Sequence, residues 1–238
     1  MNSNHLSARL GRVADLIHQH VPQPIRLADI GSDHAYLPCH LVLSERIEFA
    51  VAGEVVEGPY QSAVAEVAAQ SLNDRIQVRK ANGLAAIEWD DRINAISICG
   101  MGGSLICTIL DEGKAPLAHR SYLILQANIG EHLVREWLMT HCYQIIDEAL
   151  VEDNGRLYEI IVAKPSDELI AMTPTELLAG PFLSRRQGAL FSQKWQREYA
   201  NYQRIAAQLE QATTLNQKKL VEVLSRMALI QALLNKEN

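Results

Sequence analysis

Between about residue 25 and residue 165, short runs rich in β-branched and other apolar residues alternate with spans whose apolar positions recur at helical spacing. The runs read IRLADI (25–30), FAVAGE (49–54), RIQVRK (75–80), NAISIC (94–99) and YLILQ (122–126). Each is followed by enough chain for a crossover helix, which predicts parallel strands covered on both faces. The ending differs. YQIIDEALVED (143–153) and LYEIIVAK (157–164) flank the turn DNG (153–155), the pattern of an antiparallel hairpin. The expected body is an α/β, doubly wound, seven-stranded Rossmann-like sheet whose last strand runs against the others.

Ahead of the first strand, LSARLGRVADLI (6–17) aligns Leu6, Leu10, Val13, Leu16 and Ile17 on one helical stripe, so packing is its default role. After Lys164 the pattern breaks at PSDELIAMTPTELLAGPF (165–182), a stretch with three prolines. Beyond it Phe191, Trp195, Tyr202, Ile205, Leu209 and Ala212, then Leu220, Val223, Met227, Ile230 and Leu234, recur in steps of three and four. With an interruption at TTLNQ, they predict two antiparallel helices zipped along one seam. The expected division is a body at 1–165, a linker at 166–183 and a coiled-coil domain at 184–238.

Composition narrows the class. The 238 residues are 48% hydrophobic, enough for a proper core, yet no apolar run approaches the roughly 18 residues of a membrane helix. The N-terminal twenty residues carry charges and no apolar block, unlike a signal peptide, so a soluble cytoplasmic protein with no membrane partner is expected. Cys39, Cys99, Cys107 and Cys142 form no C-x-x-C pair and read as buried reduced thiols, while the eight His do not cluster, so no metal is expected.

Charge adds a partner. The net charge of −6 disfavours a polyanion, but residues 184–238 hold nine Lys/Arg against four Asp/Glu, a local +5, while residues 1–183 carry −11. An acidic body with a basic end suggests a nucleic acid held at that end, and the acidic body disfavours DNA.

The candidate chemistry sits at the strand ends. ADIGSDHAYLPCHLVL (28–43) runs from the first strand through a turn into a helix expected to start near His34 or Ala35, where ligands of open parallel sheets bind. Asp29, Gly31, Ser32, Asp33, His34 and Tyr36 are the candidates there. The dinucleotide fingerprint G-x-G-x-x-G is absent, and Asp33 would repel a pyrophosphate while welcoming an ammonium group. That favours S-adenosylmethionine, with its amine and sulfonium, over NAD. Glu54 ends the second strand, where an acid can take both ribose hydroxyls. Asn82, with Gly83 and Leu84, ends the third, placed for the adenine amino group. Gly100, Met101 and Gly102 of GMGG end the fourth, leaving backbone exposed beside the reacting methyl.

At these residues the chain resembles the bacterial tRNA (adenine-22-N1)-methyltransferases. The resemblance is carried by LSARL (6–10), ADIGSDHAYLP (28–38), AGEVVEGPYQSA (52–63), NGL (82–84), GMGG (100–103), LILQ.N (123–128), REWL (135–138), YEI (158–160) and GPFL (180–183). One departure is Ala127, where the family commonly has proline before Asn128. The resemblance implies a class I methyltransferase body with a C-terminal coiled-coil domain, S-adenosylmethionine as methyl donor and tRNA as partner; a monomer is expected. It carries over Asn128 as a catalytic position and Arg9 as facing the acceptor, while the reaction itself makes Asp33 the candidate to hold the methionine amine and the backbone of Gly100 and Met101 the catalytic acceptors around the reacting groups. In-line attack by adenine N1 needs no covalent residue, so positioning and electrostatics carry the rate. The N-P-P-Y motif of many nitrogen methyltransferases is missing, and Tyr36 or Met101 is expected to supply the stacking surface instead. A base inside the folded tRNA core must be swung out, so something has to grip the backbone. Arg185, Arg186, Lys194, Arg197, Arg204, Lys218, Lys219 and Arg226 are the candidates, against the alternative that they only solvate a helical pair. Rival readings are a methyltransferase for another RNA, a protein or a small molecule, and a non-catalytic RNA-binding module that holds S-adenosylmethionine.

Overall fold

The structure is a computed structural model that describes residues 2–113, 117, 120–211 and 216–235. The chain divides into two compact units, Met1–Ala171 and Met172–Asn238.

In the first unit every apolar run becomes a strand: β1 Arg26–Ile30, β2 Phe49–Glu54, β3 Ile76–Lys80, β4 Ala95–Gly102, β5 Tyr122–Ile129, β6 Tyr143–Asp153 and β7 Arg156–Pro165. They form one sheet in the order β3-β2-β1-β4-β5-β7-β6. Pairing is parallel from β3 through β5, and β7 lies antiparallel to both β5 and β6. The order reverses between β1 and β4, which places the switch point of the doubly wound sheet there. Asn154 (φ 51°) and Gly155 (φ 74°) adopt the left-handed conformations of a tight hairpin turn joining β6 to β7.

Among the described residues five α-helices accompany the sheet: α1 Ala8–His20, α2 Tyr36–Leu43, α3 Glu57–Ala69, α4 Gly103–Glu112 and α5 Glu131–Thr140. In α1 the stripe behaves as expected, with Val13, Leu16 and Ile17 fully buried against the core. Helix α2 starts at Tyr36 with Ala35 as its N-cap, beside the expected start. Asp33 (φ 54°) and Ala35 (φ 54°) are both left-handed, so the chain completes a tight bend before the first helical turn.

Helix α5 is pinned to the hairpin by charge. Arg135, fully buried, donates to Glu148 on β6 at 2.8 Å and to Glu159 on β7, and both carboxylates are 1% exposed. Burial alone would pull the guanidinium down, but Glu159 and Glu148 more than offset this and hold it above its ordinary range. On the same hairpin Asp147 meets His20 of α1 at 2.8 Å.

The second unit holds α6 Pro174–Ala179, α7 Leu183–Arg186, α8 Ala189–Glu210 and α9 Gln217–Leu234. Residues 166–183, expected as a linker, therefore carry a helix. Thr173 and Glu176 form a capping box around Pro174 at the first helical position, so the proline starts α6 rather than breaking it. Helices α8 and α9 pack together, with Phe191, Trp195, Val223 and Ile230 buried and Tyr202, Ile205, Leu209, Leu220, Met227 and Leu234 half-buried, as the seam requires. Ala206 and Leu233 are buried as well. Ala212 and most of the expected interruption lie outside the described residues.

All four cysteines are free, but only Cys39 is buried; Cys99, Cys107 and Cys142 are half-buried. Among the described residues no helix is long and apolar enough to cross a membrane, and no group of three or more His, Cys, Asp or Glu is placed to hold a metal.

Candidate active site

A cavity of about 380 Å³ opens at the carboxyl ends of β1, β2 and β4, within the range of small-molecule sites. Of the residues singled out in the sequence, Asp29, Gly31, Ser32, Asp33, His34, Tyr36, Glu54, Asn82, Gly83, Gly100 and Met101 line it. Arg9, expected at the acceptor side, lines it too. Leu84, Gly102 and Asn128, also singled out, are not among the residues that line it. Leu84 is 2% exposed and packs toward Gly113, and Gly102 serves as the N-cap of α4 beside Ile129.

The floor is built by β1. Asp29, 6% exposed, accepts from Ser32 Oγ and Ser97 Oγ, both at 2.6 Å. Burial pushes its carboxyl above the ordinary range; the two hydroxyls, and Arg9, act in the opposite sense. Gly31 (φ 72°) turns the chain under Met101, whose Cε would stand 2.1 Å from any Cβ added there. A side chain at Gly31 would thus crowd the cradle as well as strain the backbone.

Glu54 closes the β2 side. Its Oε1 accepts from the N–H groups of Val55 (2.9 Å) and Val56 (3.1 Å), and its Oε2 from Asp33 N–H (3.3 Å). Three of its roughly four acceptor positions are engaged, so the carboxylate is held in place with room for one further donor rather than two. Asp33 itself is at the lip, its side chain 66% exposed and 3.7 Å from His34 Nε2. The rings of His34 and Tyr36 stack at 5.1 Å with 14° between planes, a flat surface on the cavity wall. Asn82 Nδ2 reaches Glu112 at 3.4 Å.

On the β4 side the GMGG glycines do different work. Gly100 has φ 80°. Gly103 packs its backbone against Gly130, where a Cβ would come within 2.2 Å of the carbonyl oxygen. Asn128 is exposed beside Gly100 and donates to its carbonyl at 2.7 Å. Arg9 reaches in from α1, its guanidinium 5.4 Å from the Tyr158 ring centroid and hydrogen-bonded to Gln126. Cys99 also lines the cavity; burial pushes its thiol up to about 12, so it stays protonated near neutrality. Gln126, wholly buried between these groups, was missed in the sequence, although one polar residue inside the apolar run YLILQ was the available signal.

The acids Asp29, Asp33 and Glu54 surround the cavity, with Arg9 as the one arginine or lysine among the described residues that line it. That donor set, and the cradle a Cβ would fill, fit a ligand with a cationic amine and sulfonium.

In the second unit Arg185, Arg186, Arg197, Arg204, Lys218 and Lys219 are exposed and Lys194 is half-buried. Arg185 meets Glu176 at 2.9 Å, Arg204 meets Asn201 at 2.7 Å, and Arg226 reaches Tyr202 at 3.1 Å. Arg186 and Lys194 lie 5.4 Å from the ring centroids of Phe182 and Trp195.

Residues 27–232 match the family model described as TrmK, tRNA (adenine(22)-N(1))-methyltransferase. The chain is 42% identical, over 99% of both sequences, to the tRNA (adenine(22)-N(1))-methyltransferase of Bacillus subtilis (strain 168). Among solved structures, a Streptococcus pneumoniae chain in complex with S-adenosyl-L-methionine is 43% identical, with TM-score 0.83 over 97% of this chain and 100% of that one. M. capricolum TrmK in complex with S-adenosyl-homocysteine is 26% identical, with TM-score 0.83 over 97% of this chain and 98% of that one.

Proposed function

The chain belongs to the tRNA (adenine(22)-N(1))-methyltransferase family, and from that premise we propose that it transfers a methyl group from S-adenosylmethionine to N1 of adenine 22 in the D arm of tRNA. The observation that carries this is end-to-end similarity to an enzyme of that activity, in a chain whose own strand ends form an acid-lined cavity. When bound, S-adenosylmethionine supplies a methyl whose bond to sulfur breaks, the pair returning to sulfur, as the N1 lone pair forms the new bond to carbon.

The protein's residues bind and orient. Asp29, buried and fixed by two serines, is the anion best placed in low dielectric to hold an ammonium group, and Asp33 at the lip is a weaker, screened partner. Glu54 takes a ribose hydroxyl on its remaining acceptor position. His34 and Tyr36 offer the stacking face expected of Tyr36. Gly100, free of a side chain, lets the acceptor base approach the end of β4.

Gripping tRNA falls to the basic second unit. Lys218 and Lys219 stand in the first turn of α9, where the helix dipole disfavours cations. A local rule broken twice in succession points to a polyanionic partner rather than to helix stability. We place the reaction in the cytoplasm.

The test is transfer of labelled methyl to a folded tRNA with adenosine at position 22, beside the same tRNA with guanosine there. Label in the first alone, recovered as N1-methyladenosine, is expected. Label in both overturns the position, and label in neither, with cofactor bound, overturns the acceptor.

A further inference from the structure

Strands β4 and β5 keep parallel register as far as the pair Cys99 and Gln126; β4 then inserts one extra residue, Gly100, before Met101 pairs with Ala127. Such a bulge takes the inserted residue's polar atoms out of the ladder and leaves them to other partners. Here both are taken by side chains of β5. The Gly100 N–H donates to Gln126 Oε1 at 3.0 Å, and the Gly100 carbonyl accepts from Asn128 Nδ2 at 2.7 Å. Gln126 Nε2 donates to Asn128 Oδ1 at 3.1 Å, closing the circuit, and Arg9 Nη1 adds a second donor on Gln126 Oε1.

Obligate groups at each end fix the direction of this circuit. Two groups that can only donate, the Gly100 N–H and the Arg9 guanidinium, face one end of the Gln126 amide, so that end is oxygen. Its nitrogen must then face Asn128, which answers with oxygen. Asn128 therefore turns its nitrogen to the Gly100 carbonyl, a group that can only accept. Gln126 is fully buried, which shields its own amide, while the Asn128 bond to the Gly100 carbonyl lies at the exposed rim. What remains unspent at the exposed rim is one lone pair on Asn128 Oδ1 and one on the Gly100 carbonyl, beside the second N–H of the Asn128 amide.

Adenine presents at the edge beside N1 an exocyclic amino group that donates; guanine presents there an oxygen that accepts, and a protonated N1. We propose that Gln126 is the positioning residue that orients Asn128 Oδ1 and the Gly100 carbonyl to accept from the amino group of the target adenine, thereby aligning N1. The proposal rests on the methyl-transfer assignment above and deepens it. Gln126 acts only through Asn128 and Gly100.

The experiment is a four-way comparison under single-turnover conditions. Wild type and Gln126→Glu are each given tRNA with adenosine at position 22 and tRNA with purine riboside there, which lacks only the amino group. The substituted carboxylate still accepts from Gly100 and Arg9 but cannot donate to Asn128, so the lock is lost without removing volume. Gln126→Glu is expected to lower the methylation rate on adenosine about tenfold to a hundredfold, with the dissociation constant for S-adenosylmethionine within about threefold of wild type. On the purine substrate it is expected to be no slower than wild type, because the group it serves is gone. Equal rates for the two proteins on adenosine, or losses that multiply between variant and purine, overturn the proposal. Should the variant fail to fold, the wild-type pair decides alone: purine methylated as fast as adenosine means that no acceptor edge is used. A wild type that binds cofactor yet leaves adenosine 22 unmethylated refutes the methyl-transfer assignment itself, a result distinct from any of these.

Discussion

Replacing Arg135 by Met leaves Glu148 and Glu159, each 1% exposed, facing each other across a dry pocket without the guanidinium that balances them. Methionine keeps much of the volume, so the effect is electrostatic rather than a cavity. Breaking a buried ion pair by removing one partner destabilises by about 3–5 kcal/mol. For a domain of this size that corresponds to a fall in Tm of about 6–20 °C. The sign of the pH dependence follows from the same physics. Without the guanidinium, burial and mutual repulsion raise both carboxyl pKa values in the folded state above their unfolded ones. The folded variant then binds more protons than the unfolded chain, so its stability falls as pH rises through the raised values. The deficit against wild type should shrink between pH 8 and pH 5. The triple variant Arg135→Met with Glu148→Gln and Glu159→Gln should regain most of the loss at pH 8. Thermal unfolding of the full chain by circular dichroism reads all three effects. An Arg135→Met protein within about 1 kcal/mol of wild type, or a triple variant no more stable than the single one, would refute the view that the triad holds α5 to the hairpin by charge.

Further outcomes are expected at the site and in the basic unit. Asp29→Asn should weaken S-adenosylmethionine binding about tenfold to a hundredfold, and Asp33→Asn no more than about fivefold, because the second charge is screened; calorimetric titration showing the reverse order would move the ammonium to the lip. Since burial raises the Asp29 pKa, wild-type affinity should decline on acidification starting above the ordinary carboxylate range, and Asp29→Asn should flatten that decline. Gly103→Ala drives a Cβ to 2.2 Å from the Gly130 carbonyl oxygen and should destabilise by about 1–3 kcal/mol in a thermal melt; an unshifted melt would mean that α4 and the Gly130 turn part easily. Changing Arg185, Arg186, Lys194 and Arg197 together to Gln should weaken tRNA binding and flatten its dependence on log salt by about 0.7–0.9 for each phosphate no longer neutralised, and an unchanged slope would leave these charges a solvating role.

The strands were legible because a buried parallel sheet demands continuous β-branched runs, and the cavity because glycines and acids closed those runs in order. Turn conformation was not. Nothing in the pattern around Asp33 and Ala35 announces two left-handed non-glycine residues. Leu84 and Gly102 stood beside cavity residues in sequence but point into packing and capping, a distinction that spacing alone cannot draw. In the expected linker three prolines outweighed Thr173 and Glu176, whose separation by three is itself a helix-start signal. Arg135 and Gln126 were hidden for a shared reason: polar residues in apolar segments reveal their partners only when distant strands are brought together.

The place of β7 in the sheet has a mechanical meaning. It is the last strand in the chain yet lies between β5 and β6, hydrogen-bonded on both sides, so the polypeptide leaves the first unit from an interior strand. Detaching β7 from the sheet at Ile161–Ala163 therefore means breaking two ladders, where an edge strand is held by one.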